Sequence, residues 1–325
     1  MIITRTPMRV SLGGGGTDLP SHYRVSGGFL VAAAISRHVY IAVNQNFDDD
    51  ILLKYSHIEK VPRVADVRHP LLREALRLAG VERRVEISSM ADIPANTGLG
   101  SSGSFTVGVL KALHAHQRRL VSNRELAEQA CHIEIDRLGE PVGKQDQYIA
   151  ALGGVTAFRF HPDDSVQVLP VPMSEDTRYR LEENLLLFYT GMRRSASEVL
   201  ADQDAKSKAG HAETSSNLGR VTEIGEESFG ALVGGDLPAF AKLMTLQWEL
   251  KRQRSPSATN LEIDAWINAG LNCGASGGKL VGAGGGGFLL FYSEAKADLR
   301  AAMSRLGLPE VRFSFDYEGS TLVVA

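Results

Sequence analysis

Residues 94–105 read PANTGLGSSGSF, and the block from Gly100 to Ser104 contains only glycine and serine. A helix-like stretch follows at once: Phe105, Val109, Ala112 and Leu113 recur at three- and four-residue intervals, which predicts a helix from Ser101 to His116. The first turn of a helix has backbone N–H groups without intrahelical partners, and the helix dipole places partial positive charge there. Glycines let the chain approach a ligand closely and adopt positive φ. The combination is a seat for an anion, most often phosphate, and the hydroxyls of Ser101, Ser102 and Ser104 add polar groups beside it. Taken alone, such a turn is also compatible with a simple capped helix. It is not a Walker loop, because no GKS or GKT follows, and its match to G-x-G-x-x-G lacks the strand-to-acid context of a dinucleotide site.

The rest of the chain sets the scale. At 325 residues it suggests two domains. A composition of 43% hydrophobic and 22% charged residues is that of a soluble globular protein. The net charge of -3, without a long basic run, argues against a nucleic-acid partner. The two cysteines, Cys131 and Cys273, form no CxxC or zinc spacing and suit a reducing compartment, so a cytoplasmic location is expected. The longest apolar run near the start, FLVAAAI at 29–35, is too short to span a membrane, and no membrane partner is expected. The oligomeric state is open.

The order of elements predicts an α+β protein. IITRTPMRVSL reads as a strand that breaks at four glycines, and GGFLVAAAI, HVYIAVNQ and RRVEISSM read as further strands. HPLLREALRLAG is an amphipathic helix stopped by Gly80. SNRELAEQACHIEIDRLG reads as one helix with Ser122 as N-cap and Glu125 at capping-box spacing. Residues 161–183 are polar and carry three prolines, so the boundary is placed there, with domains at 1–172 and 173–325. The second half opens with the strand NLLLFYTG. A polar helical region at 195–229 and the helices LPAFAKLMTLQWELKRQ, NLEIDAWINAG and LRAAMSRLG follow, and VRFSFDYEGSTLVVA is expected to close in strands.

Two further glycine clusters, at 13–16 and 282–287, flank the chain, and HIEIDRLGEPVGKQDQ (132–147) lies between them and just beyond the central loop. In order and chemistry these segments resemble the GHMP kinases, over nearly the whole length. The resemblance implies a two-domain fold: a ribosomal-protein-S5-like N-terminal domain and a ferredoxin-like C-terminal domain, with ATP and substrate in the cleft between them. It implies that Gly98, Leu99, Gly100, Ser101, Ser102, Gly103 and Ser104 hold the ATP phosphates. It implies that Ser102 and Glu134 hold Mg2+, and that Asp146 is the catalytic carboxylate, twelve residues after Glu134. Arg9 matches the arginine of the family's GRVNL segment and would stand beside Asp146 as its counter-charge. Asp18, in GGTD, matches a sugar-binding aspartate. Gly284 and Gly285, in the third cluster, would close around the substrate.

Gly15 and Gly16 replace the Glu-His pair of galactokinases. RVSLGGGGTDLPSHY, LLLFYTGMRRSASEVL and GGKLVGAGGGGFLLFY instead resemble the branch that phosphorylates the anomeric hydroxyl of D-glycero-D-manno-heptose 7-phosphate. The implied partners are ATP and a small sugar phosphate; the alternatives are a fucose or galactose kinase, or a sugar sensor without turnover. A phosphorylated substrate requires a second basic site. Arg193 and Arg194 are its expected anchors, and Lys251, Arg252 and Arg254 form the other basic cluster.

Overall fold

The computed structural model describes residues 1–193, 196–209 and 211–324, without the side chains of residues 196–198. Its first half is β1 (Ile2–Gly13), α1 (Pro20–Ser26), β2 (Gly28–Gln45), β3 (Ile51–Lys54), β4 (Ile58–Val61), α2 (Pro70–Ala79), β5 (Val85–Ala91), α3 (Ser101–His116), α4 (Asn123–Cys131), α5 (Gln145–Leu152), β6 (Val155–Phe160) and β7 (Val166–Pro170). The second half is α6 (Glu175–Asn184), β8 (Leu185–Tyr189), α7 (Ala196–Lys208), α8 (Ala212–Gly234), α9 (Leu237–Arg254), α10 (Leu261–Asn272), β9 (Gly277–Leu280), β10 (Phe288–Tyr292), α11 (Lys296–Arg305) and β11 (Thr321–Val324).

The first sheet is organised by β2. This 18-residue strand pairs with β1 on one side; on the other, its first half pairs with β6 and its second half with β5. β3 and β4 extend the β5 side, with β3 parallel to β5, and β7 extends the β6 side. Behind the sheet lies α3, whose buried Val107, Leu110 and Leu113 pack against β1 and β2.

The second sheet is antiparallel, in the order β8-β10-β9. Residues 309–311 run beside β8: the Tyr189 N–H donates to the Pro309 carbonyl at 2.9 Å and the Val311 N–H to the Leu187 carbonyl at 2.8 Å. This supplies the fourth position of a ferredoxin-like layer. Trp248, Ile263, Ile267, Leu299 and Met303 form the core on one of its faces. The larger core continues from the first sheet to Phe240, Met244, Phe288 and Leu290. Beyond 311 the chain crosses back, and β11 pairs with β1. The fold is thus the mixed two-sheet arrangement expected from the sequence.

Several elements differ from the sequence reading. The polar stretch 161–183 contains β7 and α6, the second capped by the Ser174 hydroxyl accepting from the Thr177 N–H at 3.1 Å. Two short strands, β3 and β4, occupy 51–61, where no strand was expected. The expected helix 122–139 ends its α-helical part at Cys131 and continues as a π-helical turn over His132–Arg137. Only 321–324 of the terminal segment is a strand. Among the described residues no helix is long and apolar enough to cross a membrane.

Candidate active site

The N-terminus of α3 opens into a cavity of about 160 Å3 between the two sheets. Gly100 precedes the helix with φ 72°, and the Ser104 N–H makes its first turn by donating to the Gly100 carbonyl at 3.1 Å. Gly103 has a different task. A Cβ there would come within 2.8 Å of the Asp146 Cβ and 3.0 Å of the Gln147 nitrogen, so only glycine allows the start of α5 to lie on the start of α3. That contact brings Asp146 to the mouth of the helix. On the other side, Gly98 and Gly282 face each other, and a Cβ on Gly282 would meet the Gly98 Cα at 2.4 Å. The third glycine cluster is therefore seated directly on the loop before α3.

Arg9, on β1, grips Asp146 with both edges of its fork: Nε donates to Oδ1 at 2.7 Å and Nη2 to Oδ2 at 2.9 Å. Nη1 of the same guanidinium reaches the Gly98 carbonyl. One arginine thus ties the carboxylate to the loop, a geometry in which two parallel charge-assisted bonds fix direction as well as distance. Asp18 is buried a short way along the cleft. Its Oδ2 accepts from the Gln145 N–H at 3.0 Å and its Oδ1 from the Gly16 N–H at 3.3 Å. Burial, opposed in part by the Gln145 N–H, raises its pKa above the ordinary carboxylate value, and the neighbouring Asp146 adds to the rise.

Glu134 sits in the π-helical turn, a device that recurs at functional sites because the extra residue re-aims side chains. It is 2% exposed, although His132 and Asp136 around it are exposed. Its Oε2 accepts from the Ser102 hydroxyl at 2.7 Å and its Oε1 from the Gln147 amide at 3.1 Å. Among the described residues no cation lies within ion-pair distance of it. Burial accordingly pushes its pKa up to about 7, against the two hydrogen bonds. Among the described residues no group of three or more His, Cys, Asp or Glu side chains could hold a metal by itself. A buried carboxylate without a counter-charge, next to a serine hydroxyl and a phosphate-type loop, is nevertheless a fitting donor set for Mg2+, which takes hard oxygens and completes its shell with phosphates and water.

The opposite wall is cationic. Lys251 and Arg254, one turn apart at the end of α9, and Lys279, on β9, line the cavity. Arg254 Nε donates to the Gln203 Oε1 at 3.3 Å and Nη1 to the Asn217 Oδ1 at 2.6 Å. Lys279 donates to the Leu12 carbonyl at 2.7 Å and to Gln247 at 3.0 Å. Lys251 donates to the Gly282 carbonyl. Burial pulls the pKa of Lys279 down to about 7, with Arg9 adding to the effect.

Of the residues singled out in the sequence, Arg9, Gly15, Gly16, Asp18, Gly98, Gly100, Ser101, Ser102, Glu134 and Asp146 meet around this cavity. Leu99 has a buried side chain and contributes its carbonyl, which accepts from the Arg9 N–H at 3.0 Å. Ser104 departs from expectation: it is fully buried, and its hydroxyl donates to the Pro7 carbonyl at 2.7 Å, so it braces α3 against β1. Gly284 and Gly285 lie against Ala258 instead of in the cavity, whose edge is made by Val281, Gly282 and Ala283. Arg193 is exposed and donates to the Tyr189 hydroxyl at 3.3 Å, away from the cavity lining, and Arg194 lies outside the described residues. Arg252 pairs with Asp264 on the surface. Gln145, Gln147, Gln203, Gln247 and Lys279 were not anticipated. A lysine inside the otherwise apolar run GGKLVG was the available signal for the last of these.

The family model of the GHMP kinase N-terminal domain matches residues 59–154, and that of the GHMP kinase C-terminal domain matches residues 228–307. The chain belongs to the GHMP kinases. It is an ATP-dependent phosphotransferase with an alcohol group as acceptor. Among its GHMP kinase relatives, the D-glycero-alpha-D-manno-heptose 7-phosphate kinase of Campylobacter jejuni is 26% identical, over 98% of this chain and 97% of that protein. The galactokinase of Pyrococcus furiosus is 24% identical, over 88% and 87%. A solved structure described as a D-glycero-D-manno-heptose 1-phosphate kinase from Bacteroides thetaiotaomicron superposes with a TM-score of 0.82 at 23% identity, over 100% of this chain and 99% of that one.

Proposed function

We propose that this GHMP kinase transfers the γ-phosphoryl group of ATP to the anomeric hydroxyl of D-glycero-D-manno-heptose 7-phosphate, giving the 1,7-bisphosphate and ADP. The observation that carries the reading is the Arg9–Asp146 pair, held by Gly103 at the mouth of α3. Phosphoryl transfer asks a protein mainly for positioning and charge neutralisation. In this reading Gly98, Gly100, Ser101 and Ser102 present backbone N–H groups and the dipole of α3 to the nucleotide phosphates. Ser102 and Glu134 hold Mg2+, which when bound neutralises charge on the transferring group. Asp146 accepts the proton of the sugar hydroxyl as the new P–O bond forms, and Arg9 keeps its carboxylate aimed. Asp18, with two fixed backbone donors, accepts from sugar hydroxyls between Asp146 and Gly16.

The 7-phosphate choice is supported by the Campylobacter jejuni relative and by the cationic wall. ADP release with a panel of phosphorylated and unphosphorylated sugars tests it. Turnover fastest with heptose 7-phosphate supports the reading. Preference for fucose or galactose replaces the substrate and keeps the chemistry. Sugar binding without ADP release with any sugar makes the chain a sensor.

A further inference from the structure

The cavity holds more cation than its carboxylates use. Arg9 is matched to Asp146. Lys251, Arg254 and Lys279 have no carboxylate at ion-pair distance among the described residues; their partners are Gln203, Asn217, Gln247 and two backbone carbonyls. Arg254 is 8% exposed and Lys279 4%. Like charges buried together disfavour one another until an anion joins them. The neighbours register this field: burial and the nearby Arg254 hold His22 down to about 4, so it stays neutral at physiological pH. Lys251 and Arg254, with Arg252 in the same last turn of α9, also offset the helix dipole. That role requires no burial, and Lys279, on a strand, has no part in it.

We propose that Arg254 and Lys279, with Lys251 beside them, form a second anion site on the α9–β9 wall of the cavity that takes a phosphomonoester on the acceptor; Lys251, bonded to the Gly282 carbonyl, is its member nearest the ATP loop. This rests on the sugar-phosphate kinase reading and replaces Arg193 as the anchor. Hydrogen bonds give the direction. Arg254 holds Gln203, whose Nε2 donates to the Gly16 carbonyl at 3.0 Å; the Gly16 N–H donates to Asp18, and Asp18 accepts from Gln145, the residue before Asp146. Asp18 is therefore linked through hydrogen bonds to Arg254 on one side and to the residue before Asp146 on the other. A sugar resting on Asp18 presents one end to each. In heptose 7-phosphate the anomeric hydroxyl and the phosphate are at opposite ends of the carbon chain, which fits this polarity. A guanidinium suits the task, since its fork meets phosphate oxygens in pairs.

The test compares wild type with Arg254→Gln and Lys279→Met on two acceptors, heptose 7-phosphate and unphosphorylated heptose, with inorganic phosphate titrated into the ADP-saturated proteins by calorimetry. Wild type should prefer the phosphorylated sugar and bind inorganic phosphate. Each variant should lose roughly tenfold or more in kcat/KM on the phosphorylated sugar, little of it on the other, and its phosphate heat should vanish. Arg254→Gln keeps donors for its amide neighbours, and if its circular dichroism shows that it has not folded, Lys279→Met carries the same comparison. Equal losses on both sugars, or phosphate binding retained in both variants, would overturn the anion site. If wild type turns over neither heptose yet binds phosphate in a way both variants abolish, the anion site stands and the heptose reading falls.

Discussion

The two ends of the cleft are built differently. At the α3–α5 end, three carboxylates, Asp18, Glu134 and Asp146, gather at a helix start, and close glycine contacts fix two of them, Gly143 on Asp18 and Gly100 and Gly103 on Asp146. At the α9–β9 end, three cations are spread over one helix and one strand and held by amides and carbonyls. The first end depends on backbone approach, which tolerates one residue type at Gly103 and leaves a short pattern in the sequence. The second depends on charge brought together by folding, and Lys251 and Lys279 are 28 positions apart in the chain. Chemistry that needs a sub-ångström fit belongs to the first end; recognition of a charged group tolerates the second.

The sharpest contrast is expected from Asp146→Asn, which preserves shape and removes the proposed proton acceptor. kcat should fall on the order of 10²–10⁴-fold with the fold retained. A purified variant with near-normal kcat takes Asp146 out of the chemistry. Ser102→Ala and Glu134→Gln come next: each removes a proposed Mg2+ ligand oxygen or its charge, so the Mg2+ concentration for half-maximal rate should rise several-fold, by roughly 1 kcal/mol or more of lost charge-assisted interaction. Titrations that overlay wild type would remove both from the metal site.

Metal-free stability gives a smaller, signed test. Glu134 has a folded pKa near 7 against an ordinary 4.5, so the folded state keeps a proton that the unfolded chain releases. Its contribution is full below pH 4.5 and is lost as the pH rises through 7. Lys279 acts in the next window: its folded pKa near 7 lies below the ordinary 10.5, so its part of the stability rises between pH 7 and 10.5. Melting curves of Glu134→Gln should be flatter than wild type between pH 4.5 and 7 and unchanged in slope above it. A steeper dependence in the variant contradicts the burial argument. The smallest effect is expected from Ser104→Ala, which loses the bond to Pro7 and should cost about 1 kcal/mol of stability while sparing KM for ATP. A large rise in that KM would restore Ser104 to the nucleotide site.

Legibility in the sequence follows the same division. The helix Ser101–His116 was readable to its ends, because glycine and serine mark its start and its apolar positions recur at helical spacing. Glu134 and Asp146 were singled out only through the family resemblance, whose motif they match at a twelve-residue spacing, and the π-helical turn that buries Glu134 was not legible, since a one-residue widening leaves no mark in an amphipathic pattern. β3 and β4 escaped because four-residue strands are too short to show alternation, and β7 and α6 were hidden by the prolines and charges around them. Arg193 and Arg194 drew attention by following the strand NLLLFYTG almost directly and by the resemblance of TGMRRSAS to the heptose-phosphate kinase branch. The buried Arg254 sits in an equally plain basic run, and only packing separates it from the surface Arg252.

One end of the cleft is proposed to react and the other to hold the substrate. Initial rates with heptose 7-phosphate, measured over a full concentration range for Asp146→Asn and Arg254→Gln side by side, separate the two. Asp146→Asn should lower kcat with KM for the sugar within a few-fold of wild type, and Arg254→Gln should raise that KM roughly tenfold or more with a much smaller change in kcat. The reverse assignment, or the same drop in kcat for both variants with KM unmoved, would contradict this division.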